Sequence, residues 1–476
     1  MKTIIKYLMV TVSFVVFLIS NTTTNAQEFS TLYFSTQPQA AHYNPAFMTN
    51  SKMYVSIPVI GRMSLSLGTN GFAYNDLIHQ HPLYKDSLQM DFAGFLSHLK
   101  DDNRMALSLN TDILGFGFKA DKNYFSFGVS LNMETDLGFS KGLIDFIANG
   151  TNTANKQADL MSEKVLDLTA YTSTYIGYAR EISDRLTVGA KLKFYSGIAN
   201  IHTNKSLVHL DFDGDQISAY GDIDFNASMI FGYFSAVNSV VADDSDFSFN
   251  STTEASDITS NVFKNKGFGF DVGATFKINE DMEISASIVD IGKITWGANA
   301  ANIRSNNPNE RFQFSGVEVD YDSVGEQLED YFNDLGDSLK HAFDLGVNDV
   351  SSYSTWVPTK IYLGYTWNFF TNMQLQALYY GRFIRGTYEN SFTLNYSYDF
   401  GFGTATIGNT FNYRLLNPTA MITLGNIFYI GASFASSYNI AKTQSLSFFM
   451  GLNFALKSKK AKEPTPAEQV SLLEFN

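Results

Sequence analysis

The chain contains no cysteine. That excludes a disulfide framework, a thiol nucleophile and zinc–thiolate chemistry. Charge is also sparse: Asp, Glu, Lys and Arg make up 17% of the 476 residues, against roughly 25% in ordinary soluble domains. No internal apolar run reaches the roughly 18 residues that a transmembrane helix needs. A basic excess is missing as well. The net charge is −14, and it becomes more negative still once Lys2 and Lys6 are removed with a leader. Nucleic-acid binding wants a basic face, so that class is excluded.

Catalytic motifs are absent too. None of the 7 His falls in a nucleophile or metal motif, and there is no Gly-rich phosphate loop or Ser nucleophile elbow. The chain is therefore read as a non-enzyme without a cofactor. His79 and His81, near Asp76 and Asp86, read as solvated loop residues rather than a metal cluster. Asp211, Asp213 and Asp215, with Asp222, faintly match a calcium loop. Gln216 stands where that loop needs glycine, and Asp222 where it needs Glu. The trio is the weakest of metal candidates and is read as an acidic strand tip.

What the chain has is aromatic residues, 15% of the total with 42 Phe and 26 Tyr, arranged with a period of two. In Ser445–Leu456, the residues Leu446, Phe448, Met450, Leu452, Phe454 and Leu456 share one face of a strand. Ser447, Gly451, Asn453 and Ala455 share the other, with Phe449 the one large exception. Similar segments recur: Met53–Gly68, Arg104–Lys119, Tyr124–Phe139, Val165–Arg180, Leu186–Ile201, Gly267–Asn279 and Met282–Trp296. They continue with Thr359–Phe369, Met373–Ile384, Ser391–Phe400, Thr404–Arg414, Ala420–Gly425 and Phe428–Ser436. Links after the first, third, fifth and seventh segments are long. Those after the second, fourth, sixth, eighth, tenth and twelfth are tight.

Strands oily on one face, with long links gathered at one end, predict an all-β fold. The expected form is a transmembrane antiparallel up-and-down β-barrel of about 14 strands, with long external loops containing short helices. Lys2 and Lys6, the apolar Tyr7–Ile19 and the triplet Thr24-Asn25-Ala26 predict a signal peptide over residues 1–26. Residues 27–52 are expected to form an N-terminal hatch or plug, because about 14 strands enclose more space than wall side chains can fill. The barrel spans 53–456, with external insertions at 203–266 and 298–357. Residues 457–476 form a periplasmic tail. Val324–Phe343, Gly142–Ala148 and Phe92–Leu99 are amphipathic or apolar helix candidates in the loops. Trp367 and Phe369 suit an aromatic girdle. Lys191, Lys193, Asp271, Lys277, Glu283, Lys360 and Asp399 fall on the polar face and are expected to line the lumen in salt bridges or plug contacts.

Asn44-Pro45-Ala46, followed by Phe47, resembles the start of long-chain fatty-acid transporter-type barrels. Phe270–Phe276 and Ser285–Trp296, with Asp271, Gly273, Asp290, Gly292 and Trp296, resemble an uncharacterised family of outer-membrane barrels, a domain of unknown function distantly similar to those transporters. The resemblance implies a fourteen-stranded barrel with the N-terminal hatch inside, and no particular substrate. The function expected is passive uptake of hydrophobic or amphipathic small molecules across the outer membrane of a Gram-negative bacterium. The alternative is a structural or scaffold barrel serving a cell-envelope or secretion complex. Expected partners are outer-membrane lipid, hydrophobic small molecules and an envelope protein.

Overall fold

The structure is a computed structural model. It describes residues 30–457, apart from 50, 82, 85, 150–156, 160–164, 214–215, 238–245, 252–253, 307, 309–310, 315–344, 385, 413–414 and 436–441. The predicted signal peptide, the Val324–Phe343 helix, and all but the first residue of the C-terminal tail lie outside the described residues.

Fourteen antiparallel strands close on themselves. The first, β1, comes in two pieces, Ser51–Ser56 and Met63–Thr69. β2 is Asp102–Ala120, β3 Asn123–Ser140, β4 Leu166–Glu181 and β5 Leu186–Asp213. β6 is Lys266–Lys277, β7 Met282–Trp296, β8 Thr359–Phe370 and β9 Met373–Ile384. β10 is Thr387–Asp399, β11 Gly403–Asn412, β12 Leu415–Leu424, β13 Phe428–Ala435 and β14 Ser445–Lys457. Each strand pairs with its sequence neighbours. β1 closes the circle on β14, Met53 opposite Leu456 and Met63 opposite Met450. Closure removes both sheet edges, so every wall strand is paired on two sides.

The period-two pattern sorts side chains by face. Ile176, Leu192, Phe268, Leu363, Ile407 and Phe454 are exposed on the outside, while Ser173, Lys193, Asn395, Thr406, Ser447 and Asn453 are buried on the inside. An apolar exterior around a polar interior is the signature of a membrane-spanning barrel of the outer-membrane type. Exposed aromatic side chains sit toward the ends of the strands: Trp367, Phe370 and Phe402 toward the tight turns, Trp356 and Phe383 toward the long links. No helix among the described residues is long and apolar enough to cross a membrane.

β10 and β12 begin earlier than expected, at Thr387 and Leu415, and two strands depart further. β1 is interrupted at Ile57–Arg62, where Val59 takes a positive φ of 70°. The interruption keeps both flanks in the wall: the Ile57 amide donates to Leu452 O and the Leu452 amide to Ile60 O. β5 does not stop near Ile201 but runs on to Asp213 and forms a hairpin with Gln216–Met229. Ala301–Ser305 and Leu345–Asp349 extend that hairpin, so much of residues 203–266 continues the wall beyond the barrel. The apolar positions Val208 and Leu210 are fully buried. Their alternation with His209 and Asp211 is the strand signal that charged neighbours obscure in the sequence. In the long links, Phe92–His98 and Lys141–Asn149 are helical. Phe95, Phe72 and Leu99 form a small cluster there, with Ile144 packed against it.

Candidate functional site: the lumen between hatch and mouth

Ser30–Thr49 lies inside the barrel, and its hydrogen bonds define where. Tyr33 Oη donates to Ser285 Oγ (3.0 Å) on β7. Gln39 Nε2 donates to Asn453 Oδ1 (2.7 Å) on β14 and to Gly61 O (2.8 Å). Lys191 Nζ on β5 donates to Ala41 O (2.6 Å), and Ser287 Oγ to Tyr43 O (2.6 Å). Asn395 Nδ2 on β10 donates to Ser30 O. Partners on opposite sides of the wall mean that the wall encircles the segment. It leaves by the tight-turn end, where Asn426 Nδ2 donates to Thr49 and Ser51.

The Asn44-Pro45-Ala46 stretch is seated by shape. Asn44 is fully buried, and its side-chain oxygen accepts from the Ala46 amide (2.9 Å). Its side-chain amide faces the backbone oxygens of Ala274 and Ala286 (3.3 and 3.4 Å). A Cβ at Gly273 would overlap Asn44 Oδ1 and Pro45 Cδ, and one at Gly189 would overlap Pro45 O. The two glycines therefore form the floor on which the turn rests. Phe47 packs edge-on against Tyr33, with ring centroids 4.9 Å apart. Phe449, the large residue on the small face of β14, joins the cluster of Leu32, Tyr33, Tyr362, Tyr380 and Tyr429 and lies over Gly431.

Charged side chains gather in two groups in the wall. In the first, Asp112 of β2 accepts from Arg62 Nε (3.1 Å) and Ser130 Oγ (3.0 Å) and meets His42 Nε2 at 3.2 Å. In the second, Lys193 Nζ pairs with Asp271 (2.8 Å) and with Asp290, which also pairs with Lys360 (3.2 Å). Asp290 sits on a bulge of β7 with φ 59°, and its amide donates to Asp271 Oδ1 (2.8 Å). Buried ion pairs of this kind contribute little net stability, but removing one partner costs about 3–5 kcal/mol by stranding the other charge. Their effect is to specify where the strands bend and what faces inward.

The remaining expected residues fall at the edges. Lys277 and Asp399 share the inward parity but stand exposed at the tight-turn rim, where Asp399 caps the Gly401 amide (2.7 Å). Glu283 lies opposite Lys277. Gly292 gives room to Tyr195 and the β6 backbone. Trp296 is fully buried over Gly197, and its Nε1 donates to Thr355 Oγ1 (2.8 Å). Asp211 meets His209 (3.2 Å) and Arg311 (3.1 Å). Asp213 ends β5, and Asp215 lies outside the described residues. Among the described residues no group of carboxylates and histidines could hold a metal ion. His81 instead accepts from the Leu83 and Tyr84 amides.

Above the hatch the lumen opens in steps. A cavity of about 40 Å³ is lined by His42, Arg62, Asn110, Ser130, Ser173 and Lys360 among others. Toward the long links, a cleft of about 410 Å³ is lined by residues including Glu134, Asp167, Tyr171, Asn200, His202 and Ile384. Inward positions of β3 and β4 pass from one to the other without a break: Ser130, Asn132, Glu134 and Tyr175, Ser173, Tyr171. Residues 45–433 match a family of unknown function (DUF5723). The chain belongs to that family.

No curated protein matches the chain. Among solved structures, it is similar to the toluene transporter TbuX of Ralstonia pickettii, with 10% identity, 88% of this chain and 93% of that one covered, and a TM-score of 0.41. It is also similar to the toluene transporter TodX of Pseudomonas putida, with 9% identity, 87% and 91% covered, and a TM-score of 0.39. A FadL homologue of Pseudomonas aeruginosa gives 12% identity, 89% and 95% covered, and a TM-score of 0.35. At these scores the likeness carries no inference about ligand.

Sequence reasoning missed Arg62 and Asp112. Arg62 follows Gly61 in what reads as one continuous strand, and Asp112 interrupts an otherwise apolar alternation in Thr111–Leu114. A lone acid inside a strand pattern was the available signal.

Proposed function

We propose that the protein is a hatch-controlled passive channel that admits small amphipathic molecules across the outer membrane. The observation that carries this reading is the run of successive inward residues on β3 and β4 that lines first the 410 Å³ mouth cleft and then the cavity on top of Ser30–Thr49. Hydroxyl, amide and charged groups alternate along it with apolar ones, among them Tyr171, Trp356 and Ile384 at the mouth and Tyr175, Val289 and Tyr362 below. Such a lining suits solutes with both polar and apolar parts better than bare hydrocarbons. The hatch is the gate: it meets the wall through hydrogen bonds, which water can replace when the segment moves, and through the buried cluster of Tyr33, Tyr43, Tyr362 and Phe449.

The test is flux. The purified protein is reconstituted into liposomes beside a version lacking residues 30–49. Labelled small amphipathic solutes are then followed into the lumen. Entry above that of protein-free vesicles is expected, and faster entry without the hatch. Equal rates in all three would sink the reading.

A further inference from the structure

Three irregularities of the wall meet at one cavity. β1 breaks at Ile57–Arg62, β2 bulges between Asp112 and Leu114, and β7 bulges at Asp290. Bulges re-aim side chains, and here Arg62 and Asp290 turn to the same space while Asp112 stands behind Arg62. Arg62, Lys193, Lys360 and Asp290 line it directly. Arg62 is 7% exposed. Its Nε is taken by Asp112, and its two terminal nitrogens make no hydrogen bond among the described residues. Ser173 lines the same cavity at 6% exposure, and its hydroxyl has no hydrogen-bond partner among the described residues.

We infer that this cavity is a binding site for the oxyanion, a carboxylate or a phosphate, of a compact solute that enters the lumen. A guanidinium presents parallel N–H donors that match two oxygens of one such group. Asp112 orients the fork through Nε and leaves its outer edge open. The Ser173 hydroxyl and the side-chain amides of Asn110 and Asn132 supply further donors around the same space. Tyr43, Tyr175, Val289 and Tyr362 complete a lining that is mainly polar, so the recognised group is the anion itself. The site rests on the proposed entry of solutes into the lumen. Binding is nevertheless measurable without flux.

The experiment is titration calorimetry on the full barrel in detergent at constant ionic strength. The probes are inorganic sulfate, inorganic phosphate, succinate and decanoate, against a chloride background. Saturable binding of at least one compact oxyanion is expected, with decanoate no tighter than succinate. Phosphate or sulfate binding without succinate would assign the phosphate source, and the reverse the carboxylate. Arg62→Lys keeps a charge beside Asp112 but loses the fork, and should weaken binding about tenfold. If that variant does not fold, Asn110→Leu with Asn132→Leu fills the cavity and leaves the Arg62–Asp112 pair in place; it should abolish binding. No saturable heat beyond chloride, unchanged binding in the Leu double variant, or much tighter binding of decanoate than of succinate would each overturn the site. Loss of flux with binding intact would refute the channel and leave the site.

Discussion

The outer and inner faces of β6 and β7 obey opposite rules. Outside stand Phe268, Phe270, Val272, Phe276, Ile284 and Ile288, all apolar and all exposed. Inside stand Asp271, Gly273, Ser285 and Ser287, all touching a hatch residue, a charged partner or each other. An outer face of a membrane-type barrel needs only to be apolar, and its shapes are interchangeable, because no fixed neighbour packs against them. The inner face tolerates charge, because each charge has a partner, but it does not tolerate a change of shape. One wall thus carries a permissive side and a particular side, alternating residue by residue.

The largest break in that comparison is a charge on the permissive face. Leu192 is 73% exposed in the middle of the wall portion of β5. Leu192→Lys should cost about 2–4 kcal/mol of stability in the bilayer, while Leu192→Phe should cost almost nothing. Urea unfolding from vesicles measures both. A tolerated lysine would mean that Leu192 does not face lipid.

A change of shape on the particular face comes next. Gly273→Val places side-chain atoms where Asn44 and Pro45 rest. Overpacking of this kind costs about 1–3 kcal/mol, and here the hatch is the part free to give way. The Asn44-Pro45-Ala46 turn should become open to protease while the wall stays folded. A hatch as protected as before would show that Gly273 is not its floor.

The smallest effect is proton-driven. His42 belongs to the hatch, not to a wall strand. Burial first, and then the Arg62 charge beside it, pull its imidazole down from 6.5 to about 3, against the opposing pull of Asp112. A His whose value is lowered by seating binds protons better when unseated, so the seated state loses stability as pH falls from about 6.5 toward 3. Protection of the Tyr43 and Asn44 amides, both bonded to Ala40 O, should decline over that range. In His42→Asn the decline should be smaller. Identical curves would remove His42 from the balance.

These contrasts also show why one part of the molecule was legible and another was not. Ser445–Leu456 declares its two faces in sequence, and its pairing with β1 follows once strands are counted and a barrel must close. Phe449 looks like a flaw in that pattern. It is instead a lumen residue that covers Gly431 and touches the hatch cluster, a fit that depends on the neighbouring strand and on a segment more than four hundred residues away in sequence. Asp271 and Lys193 were readable as inward by parity, but that they share Asp290 was not, because the bulge that turns Asp290 inward breaks parity.

By itself, then, the sequence determined the wall. Period-two alternation is a local property of each strand, and the order of long and tight links places successive strands in an up-and-down barrel. Only the tertiary structure decided the interior. Arg62 meets Asp112 on the adjacent strand, Lys191 reaches Ala41 of the hatch and Asn44 rests on Gly273. Such contacts are set by closure and register, which bring together residues that no local period relates.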